Sequence, residues 1–411
     1  MDTRDLIPHL FRTEYRKIVS VLGRRFGFDH LETAEDITSD TFLTATQSWG
    51  VEGIPHNPTA WLYQVAKNKA INFLRRQNHF DTKISAELAN ESLNNNLPDV
   101  DLSPHNINDS QLKMMFAVCH PSLTQEAQVG LALRILCGFG IEEIANAFLT
   151  NKETINKRLF RAKESLREAK INIDSDDLAI ETRLPSVVKT IYLLFNEGYY
   201  SISQSQTLRK DLCLEAMRLC IMLIENEATN TPEVNALLSL MCFHYSRFES
   251  RLSDQGEIIL YEEQDTSVWN TNLISKGGYF LNRAMTGDEV SKYHLEAGIA
   301  YWNCQTSNSK EKWQNILQLY NQLLQLEYSP AAALNRTYAL AKARGKESAL
   351  IEAEKLELHD NQFYYALLGD LYIDIDNDRA IFNLTKAITL AKSPADRNAL
   401  QRKIEKIERL P

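Results

Sequence analysis

Apolar residues recur at three- and four-residue spacing along almost the whole chain, and strand-like alternation persists nowhere. The pattern predicts an all-α protein in four blocks. Residues 1–76 read as a helical domain. Residues 77–110 are rich in Asn, Asp and Ser, hold two prolines, and carry six acids against one lysine, so they read as an extended acidic linker. Residues 111–170 read as a second, small helical domain. Residues 178–411 read as a long helical array.

The array contains a repeat. Leu334, Asn335 and Tyr338 match Leu368, Gly369 and Tyr372 at a spacing of 34, and Ala353 with Ala387 keeps the register. That period fits the tetratricopeptide helix–turn–helix. A degenerate earlier unit is expected from His294 to Pro330, with Gly298, Tyr301, Trp313 and Tyr320 and a longer turn. Residues 178–290 show helices without a clean period.

In the second block, Ile141 to Phe148 form one short amphipathic helix, Leu149–Thr150–Asn151 a turn, and a second helix starts near Lys152. Ile155, Leu159, Ala162 and Leu166 make one apolar stripe. Thr154, Asn156, Lys157, Arg158, Arg161 and Lys163 are expected on the opposite face. A bracing helix followed by a helix with amides and bases at its start is the pattern of a duplex-reading helix-turn-helix. A merely solvated charged helix is the alternative.

In the first block, residues 34–49 put Glu35, Asp36 and Asp40 on a helix with Ile37, Phe42 and Ala45 on its apolar side. Residues 58–77 follow after a loop. There Trp61, Leu62, Val65, Ile71 and Leu74 interleave with Lys67, Asn68, Lys69, Asn72, Arg75 and Arg76. Rings that stack on bases, set among cations that track phosphates, suit single-stranded nucleic acid. Trp61 packed in its own core is the competing reading.

Charge sharpens the division. The net charge is −9, of which residues 1–170 carry about −1 and residues 171–411 about −8 by formal count. Residues 61–80 hold four cations and no acid, and residues 151–170 hold seven bases and three acids. Basic stripes on a neutral domain are a nucleic-acid footprint. The six cysteines form no C-x-x-C pair, which predicts reduced, buried thiols in a cytoplasmic protein. The adjacent Cys119 and His120 have no second pair at zinc spacing, so no metal or cofactor is expected. The N-terminal residues carry no export-signal pattern, and no apolar run suggests a membrane span.

Taken in order, these segments resemble the two-domain sigma factors of the extracytoplasmic-function (ECF) group of the sigma-70 family. They are an acidic helix with Phe, a W-L-x-x-x-A-x-N-x-A-x-x-x-L-R-R helix, an acidic linker and a helix-turn-helix ending R-L-F-R-A-K. The resemblance covers about residues 8–170. It implies region 2 at 1–76 and region 4 at 111–170. It places Asp36, Asp40 and Phe42 against the β′ clamp helices of core RNA polymerase, with Ser39 where relatives often have Gln. Trp61, Lys67, Asn68, Asn72, Arg75 and Arg76 would meet the minus-ten element of promoter DNA, Asn68 helping to capture a flipped base; Asn72 stands where relatives often have Asp. Thr154, Asn156, Lys157, Arg158, Arg161 and Lys163 would read the minus-thirty-five element. The stretches CHPSL, YLLFNEGYYS, DLCLEAMRL, YEEQD and SPAAALNRTYALA resemble a subgroup with a C-terminal tetratricopeptide-like extension. Its acidity against the basic readers leads to the expectation that residues 178–411 dock on the sigma core in cis and restrain it; support of the core, or recruitment of another protein, is the alternative.

Two readings from other classes compete. A helix-turn-helix regulator with a helical sensor domain leaves residues 34–76 without a role. An enzyme would need Glu197, Glu262, Glu263, Asp265 and His244 to form a site, and their spacing matches no triad or metal motif.

Overall fold

The computed structural model describes residues 3–85, 100–173, 180–200, 206–251, 259, 261–391 and 394–409. The fold is all-α, with no strand among these residues. It divides into two compact units, residues 1–229 and 230–411. No helix among the described residues is long and apolar enough to cross a membrane.

The first unit begins with α1 (Thr3–Phe26), α2 (Leu31–Glu52) and α3 (Pro58–Ser85). Gly27 ends the first helix at φ 75°, a backbone state that glycine reaches without strain. Asn57 closes the start of α3: its Oδ1 accepts from the Ala60 amide at 3.0 Å, and Pro58 supplies a ready-made helical φ. The helix continues to Ser85, nine residues into the stretch expected to be extended. The far end of that stretch is also helical, because Ser103 caps and Pro104 starts α4 (Pro104–Val118). Proline there is a helix starter, the first-turn position at which its missing N–H costs nothing. Residues 86–99 of the expected linker lie outside the described residues.

The unit continues through α5 (Gln125–Leu131), which runs into a π-turn at Ala132–Leu136, then α6 (Ile141–Ala147) and α7 (Lys152–Glu168). Two further helices, α8 (Ile180–Tyr200) and α9 (Gln206–Glu225), complete it. They form a tight hairpin around Gly198, where a Cβ would meet the Arg209 carbonyl oxygen at 2.7 Å and Cys213 Sγ at 2.8 Å. Arg209 closes the end of α8 by donating to the Gly198 and Tyr199 carbonyls at 3.1 and 3.0 Å. The hairpin holds α1 and the second helical block. Asp211 pairs with Arg12 at 2.7 Å, Glu215 pairs with Arg16, and Arg218 donates to the Leu136 carbonyl at 2.7 Å. Thr190 donates to Gln128 Oε1 at 3.1 Å. The sequence draws a domain boundary at residues 170–178, and the first compact unit runs on to Thr229. The apolar face of α8–α9 and its acids are satisfied by the helices before it.

The second unit stacks α10 (Pro232–Ser246), α11 (Thr271–Ala284), α12 (Lys292–Asn303), α13 (Lys310–Leu326), α14 (Pro330–Arg344), α15 (Lys346–Glu354), α16 (Gln362–Tyr372), α17 (Asn377–Leu390) and α18 (Pro394–Glu408). The 34-residue period corresponds to the hairpins α14–α15 and α16–α17, with Leu334, Leu368, Ala353 and Ala387 all buried in one core. Gly369 permits close packing of the last hairpin, since a Cβ would lie 2.6 Å from Leu384 Cγ. The degenerate unit is α12–α13, joined by the longer turn expected of it. All six cysteines are buried.

Candidate nucleic-acid interface

Helix α2 buries Leu31, Ala34, Glu35, Thr38, Thr41, Phe42, Ala45 and Trp49. These positions form one stripe at helical spacing. Thr38 and Thr41 donate their hydroxyls to carbonyls one turn back, so they enter the core with their polarity satisfied. The outward face presents Asp36, Ser39, Asp40 and Leu43. Phe42, expected to grip polymerase, is 4% exposed and packs 5.0 Å from the Phe11 ring. The exposed hydrophobe of this helix is Leu43, 55% exposed. Helical register would have found it, since residue 42 falls in line with 31, 35, 38 and 49.

Helix α3 lies beside α2. Leu62, Ala66 and Ala70 are buried against the neighbouring helices. Gln64, Asn68, Asn72, Arg75 and Arg76 are exposed, and their spacing puts them on one stripe. Gln64 Nε2 donates to Asn68 Oδ1 at 3.0 Å, which holds the Asn68 amide along the helix surface. Trp61 is half-buried and meets Trp49 edge-on, with centroids 5.3 Å apart. It combines both sequence readings: one edge packs and the remainder stays accessible. Lys67 is half-buried. Lys69 reaches across to α2, where it pairs with Asp40 and donates to Thr44 Oγ1 at 2.9 Å. The acidic face of α2 and the polar stripe of α3 are thus joined at one residue pair.

The helix-turn-helix is α6, a tight turn and α7. Glu143 accepts from the Gly140 amide at 2.8 Å and caps α6. Leu149 takes a left-handed φ of 51°, and the Thr150 amide returns to the Ala145 carbonyl at 2.9 Å, so the chain reverses within four residues. Asn151 Oδ1 then caps α7 by accepting from the Thr154 amide at 2.8 Å. Ile155, Leu159, Ala162 and Leu166 are buried. Thr154, Asn156, Lys157 and Arg161 are exposed. Lys157 pairs with Glu153 at 2.7 Å along the surface. Arg158 is half-buried, its guanidinium 5.2 Å from the Phe148 ring centroid. Phe160, not expected from the sequence, is 61% exposed on the same helix.

Lys163 departs from the expected DNA face. It is 8% exposed and its ammonium pairs with buried Glu35 of α2, with Glu32 at 3.5 Å. Arg134, on the π-turn after α5, donates to the other Glu35 oxygen at 2.6 Å and to the Tyr15 hydroxyl at 3.1 Å. Burial pushes that hydroxyl up to about 12, so Tyr15 remains a neutral partner. One turn beyond Lys163, Arg167 pairs with Glu32 and donates to the Phe28 carbonyl at 2.9 Å. The front of α7 is open, while its rear half is fastened to α2.

Four residues of the enzyme reading, His244, Glu262, Glu263 and Asp265, lie in the second unit. Glu262 is bonded to Tyr338 and Lys342, burial pushes the His244 imidazole well down, and Glu263 and Asp265 lie on the surface.

Residues 10–80 match the family described as sigma-70 region 2, and residues 183–285 match a family of unknown function, DUF6596. An uncharacterized protein of Rhizobium meliloti is 31% identical over 354 residues, covering 84% of this chain and 82% of its own. The RNA polymerase sigma factor YlaC of Bacillus subtilis is 30% identical over 169 residues, which span 41% of this chain and 94% of that one. The ECF RNA polymerase sigma-E factor of Haemophilus influenzae is 27% identical over 137 residues, 32% of this chain and 71% of that one. No solved structure matches the chain. With a region-2 domain, and relatives of which one sigma factor is covered almost end to end, the chain belongs to the extracytoplasmic-function group of the sigma-70 family and carries an additional C-terminal helical extension.

Proposed function

We propose that this sigma factor binds core RNA polymerase through the exposed face of α2, holds one strand of the minus-ten element on α3, and reads the minus-thirty-five duplex with the first turns of α7. The observation that carries this reading is the α3 stripe. Asn68 and Asn72 offer amides, Arg75 and Arg76 offer charge, and the accessible part of Trp61 offers a ring, all on a helix held rigid by its buried face. Amides bond base edges and cations neutralise phosphates. Extracting a base from the stack costs a few kcal/mol, which stacking and amide contacts offset. Asp36, Asp40 and Leu43 form the matching protein-facing surface on α2. Asp40 binds Lys69, so polymerase contact at Asp40 would be felt directly at the α3 stripe.

The fastened rear of α7 adds a step. The two promoter elements lie about 25 base pairs apart, roughly 85 Å at ~3.4 Å per pair. From Lys163 to Asn156 along α7 is only about 10 Å. With Lys163 held on Glu35, the two readers stay within one compact unit and cannot span that distance. Promoter engagement therefore requires the Glu35 contacts with Lys163 and Arg134 to open, with polymerase contacts replacing them. We read the closed arrangement as the resting state. The α8–α9 hairpin, through Arg12–Asp211 and Arg16–Glu215, adds to its stability, and this is the form in which a restraining role for the extension is physically available.

Transcription from a promoter with core polymerase, using the full chain and a chain ending at Lys170, tests both statements. A restraining extension gives more transcript from the shorter chain. A shorter chain that is soluble, binds polymerase and is inactive would mean the extension is required instead.

A further inference from the structure

In the second unit, Tyr261–Glu263 form a single 3-10 turn. Tyr261 packs on the apolar core of the array, with the Arg247 guanidinium 5.1 Å and the Lys312 ammonium 5.3 Å from its ring centroid. Its hydroxyl accepts from Lys312 Nζ at 2.7 Å and donates to the Asn303 carbonyl at 2.8 Å. The next residue, Glu262, accepts from the Tyr338 hydroxyl at 3.0 Å and pairs with Lys342. The Lys342 and Tyr338 bonds hold its carboxyl below the usual range. The partners of these two residues belong to α12, α13 and α14 and to Arg247 at the end of α10, so the segment lies across several elements of the stack as a peptide would.

Comparison of the two repeats shows that this place is built for a carboxylate. Tyr338 and Tyr372 occupy the same repeat position. Tyr372 donates its hydroxyl to Glu354 at 2.7 Å, an acid supplied by the preceding hairpin. The position 34 residues before Glu354 is Tyr320, so the repeat offers Tyr338 no acid at the equivalent position. Glu262 fills that role from outside the repeats. Lys312 points the same way. It is buried, burial followed by the Arg247 charge pushes it down to about 8, and it meets no carboxylate among the described residues. Its ammonium donates to the Tyr261 hydroxyl at 2.7 Å and to the Gln305 carbonyl at 2.6 Å and lies over the Tyr261 and Trp313 rings; these neutral groups solvate the charge, which a carboxylate would neutralise.

We propose that this face of the array is the docking site for a segment of a partner protein in which an aromatic residue is followed directly by acids, and that Tyr261–Glu262 occupies it in cis as a built-in competitor. The ring sits between Arg247 and Lys312, and the first acid bonds Tyr338 and Lys342. A tethered competitor acts at an effective concentration of about a millimolar. A free segment of equal affinity binds in proportion to the fraction of sites that the tether leaves open. The extension then responds only to a partner present at high local concentration, or to one with a better anion for Lys312.

The test uses the full chain and a fluorescein-labelled peptide Tyr-Glu-Glu-Gln-Asp-Thr-Ser, the sequence of residues 261–267, followed by anisotropy at low salt. The double variant Tyr261→Ala/Glu262→Ala is expected to bind it about tenfold more tightly than the wild-type chain. Adding Lys342→Glu should abolish that gain, and salt should weaken the binding. Glu262→Gln keeps the Tyr261 anchor in the core and should bind about threefold more tightly than wild type, which provides the same comparison if the double variant loses helicity. Equal binding by wild type and Glu262→Gln, or binding by the double variant that Lys342→Glu leaves unchanged, would overturn the proposal.

Discussion

Lys163, on the helix expected to read duplex DNA, forms a buried ion pair with Glu35, on the helix expected to bind polymerase. The same carboxylate accepts from Arg134 at 2.6 Å. One side chain therefore joins α2 to α7, and expectations follow from removing it or its neighbours.

Glu35→Ala leaves buried Lys163 and half-buried Arg134 without their shared carboxylate, with Glu32 at 3.5 Å as the remaining acid beside Lys163. Breaking a buried pair by deleting one partner typically costs about 3–5 kcal/mol. Urea unfolding of the full chain should show a loss of that order in the transition of the first unit. A loss under about 0.5 kcal/mol, the range of ordinary surface substitutions, would mean that Glu35 does not fasten α7 to α2.

Asp40→Lys and Phe42→Ala separate contact from core. The first should weaken co-purification with core polymerase and leave helical content and melting temperature nearly unchanged. The second should cost about 3–5 kcal/mol of stability, as large-to-small core changes do, so any loss of polymerase binding follows from unfolding. Stable folding of Phe42→Ala together with lost binding would restore Phe42 as a contact.

Asn68→Ala should spare polymerase binding and reduce open-complex formation, read by permanganate reactivity of unpaired thymines. Activity on a premelted template should recover in part. Wild-type melting by the variant would make Asn68 a surface amide with no part in strand capture.

Much of this was legible in the sequence, and the omissions have physical reasons. The helix-turn-helix was readable because Asn151 is a strong cap and the stripe Ile155–Leu159–Ala162–Leu166 fixes which face is buried. The same stripe hides the placement of Lys163. A long aliphatic stem beside Ala162 can be drawn under the helix, and only the tertiary position of Glu35 decides that it is. Phe42 was assigned by resemblance against its own helical register. The first turns of α4, residues 104–110, fall in the expected linker because Pro104 counts towards its composition, whereas after Ser103 it is a first-turn helix residue. Neither charge nor composition around residues 170–178 reports that Asp211 and Glu215 find Arg12 and Arg16 about two hundred residues earlier.

Lys312 gives a pH dependence of definite sign. Its folded-state value, about 8, lies below the ordinary lysine value of 10.5. Between these two values the unfolded chain binds more protons than the folded one, so this group makes stability rise with pH across that window. Below about pH 8 both states are protonated and the cost of burying the charge is fully present. Lys312→Met should stabilise the second unit at pH 7 and flatten its stability profile between pH 8 and 10 relative to wild type, measured by thermal unfolding. Parallel profiles would remove Lys312 as a strained cation.

The sigma role itself is tested most directly by run-off transcription from promoters of the source genome, with purified core polymerase and the full chain, set beside duplex promoter binding by the chain alone. The account predicts discrete transcripts that require the chain and are reduced by Asn68→Ala, with little binding to duplex promoter in the absence of polymerase. Tight, sequence-specific duplex binding by the chain alone, with no transcript when core polymerase is added, would contradict it and support a regulator with a helical sensor domain.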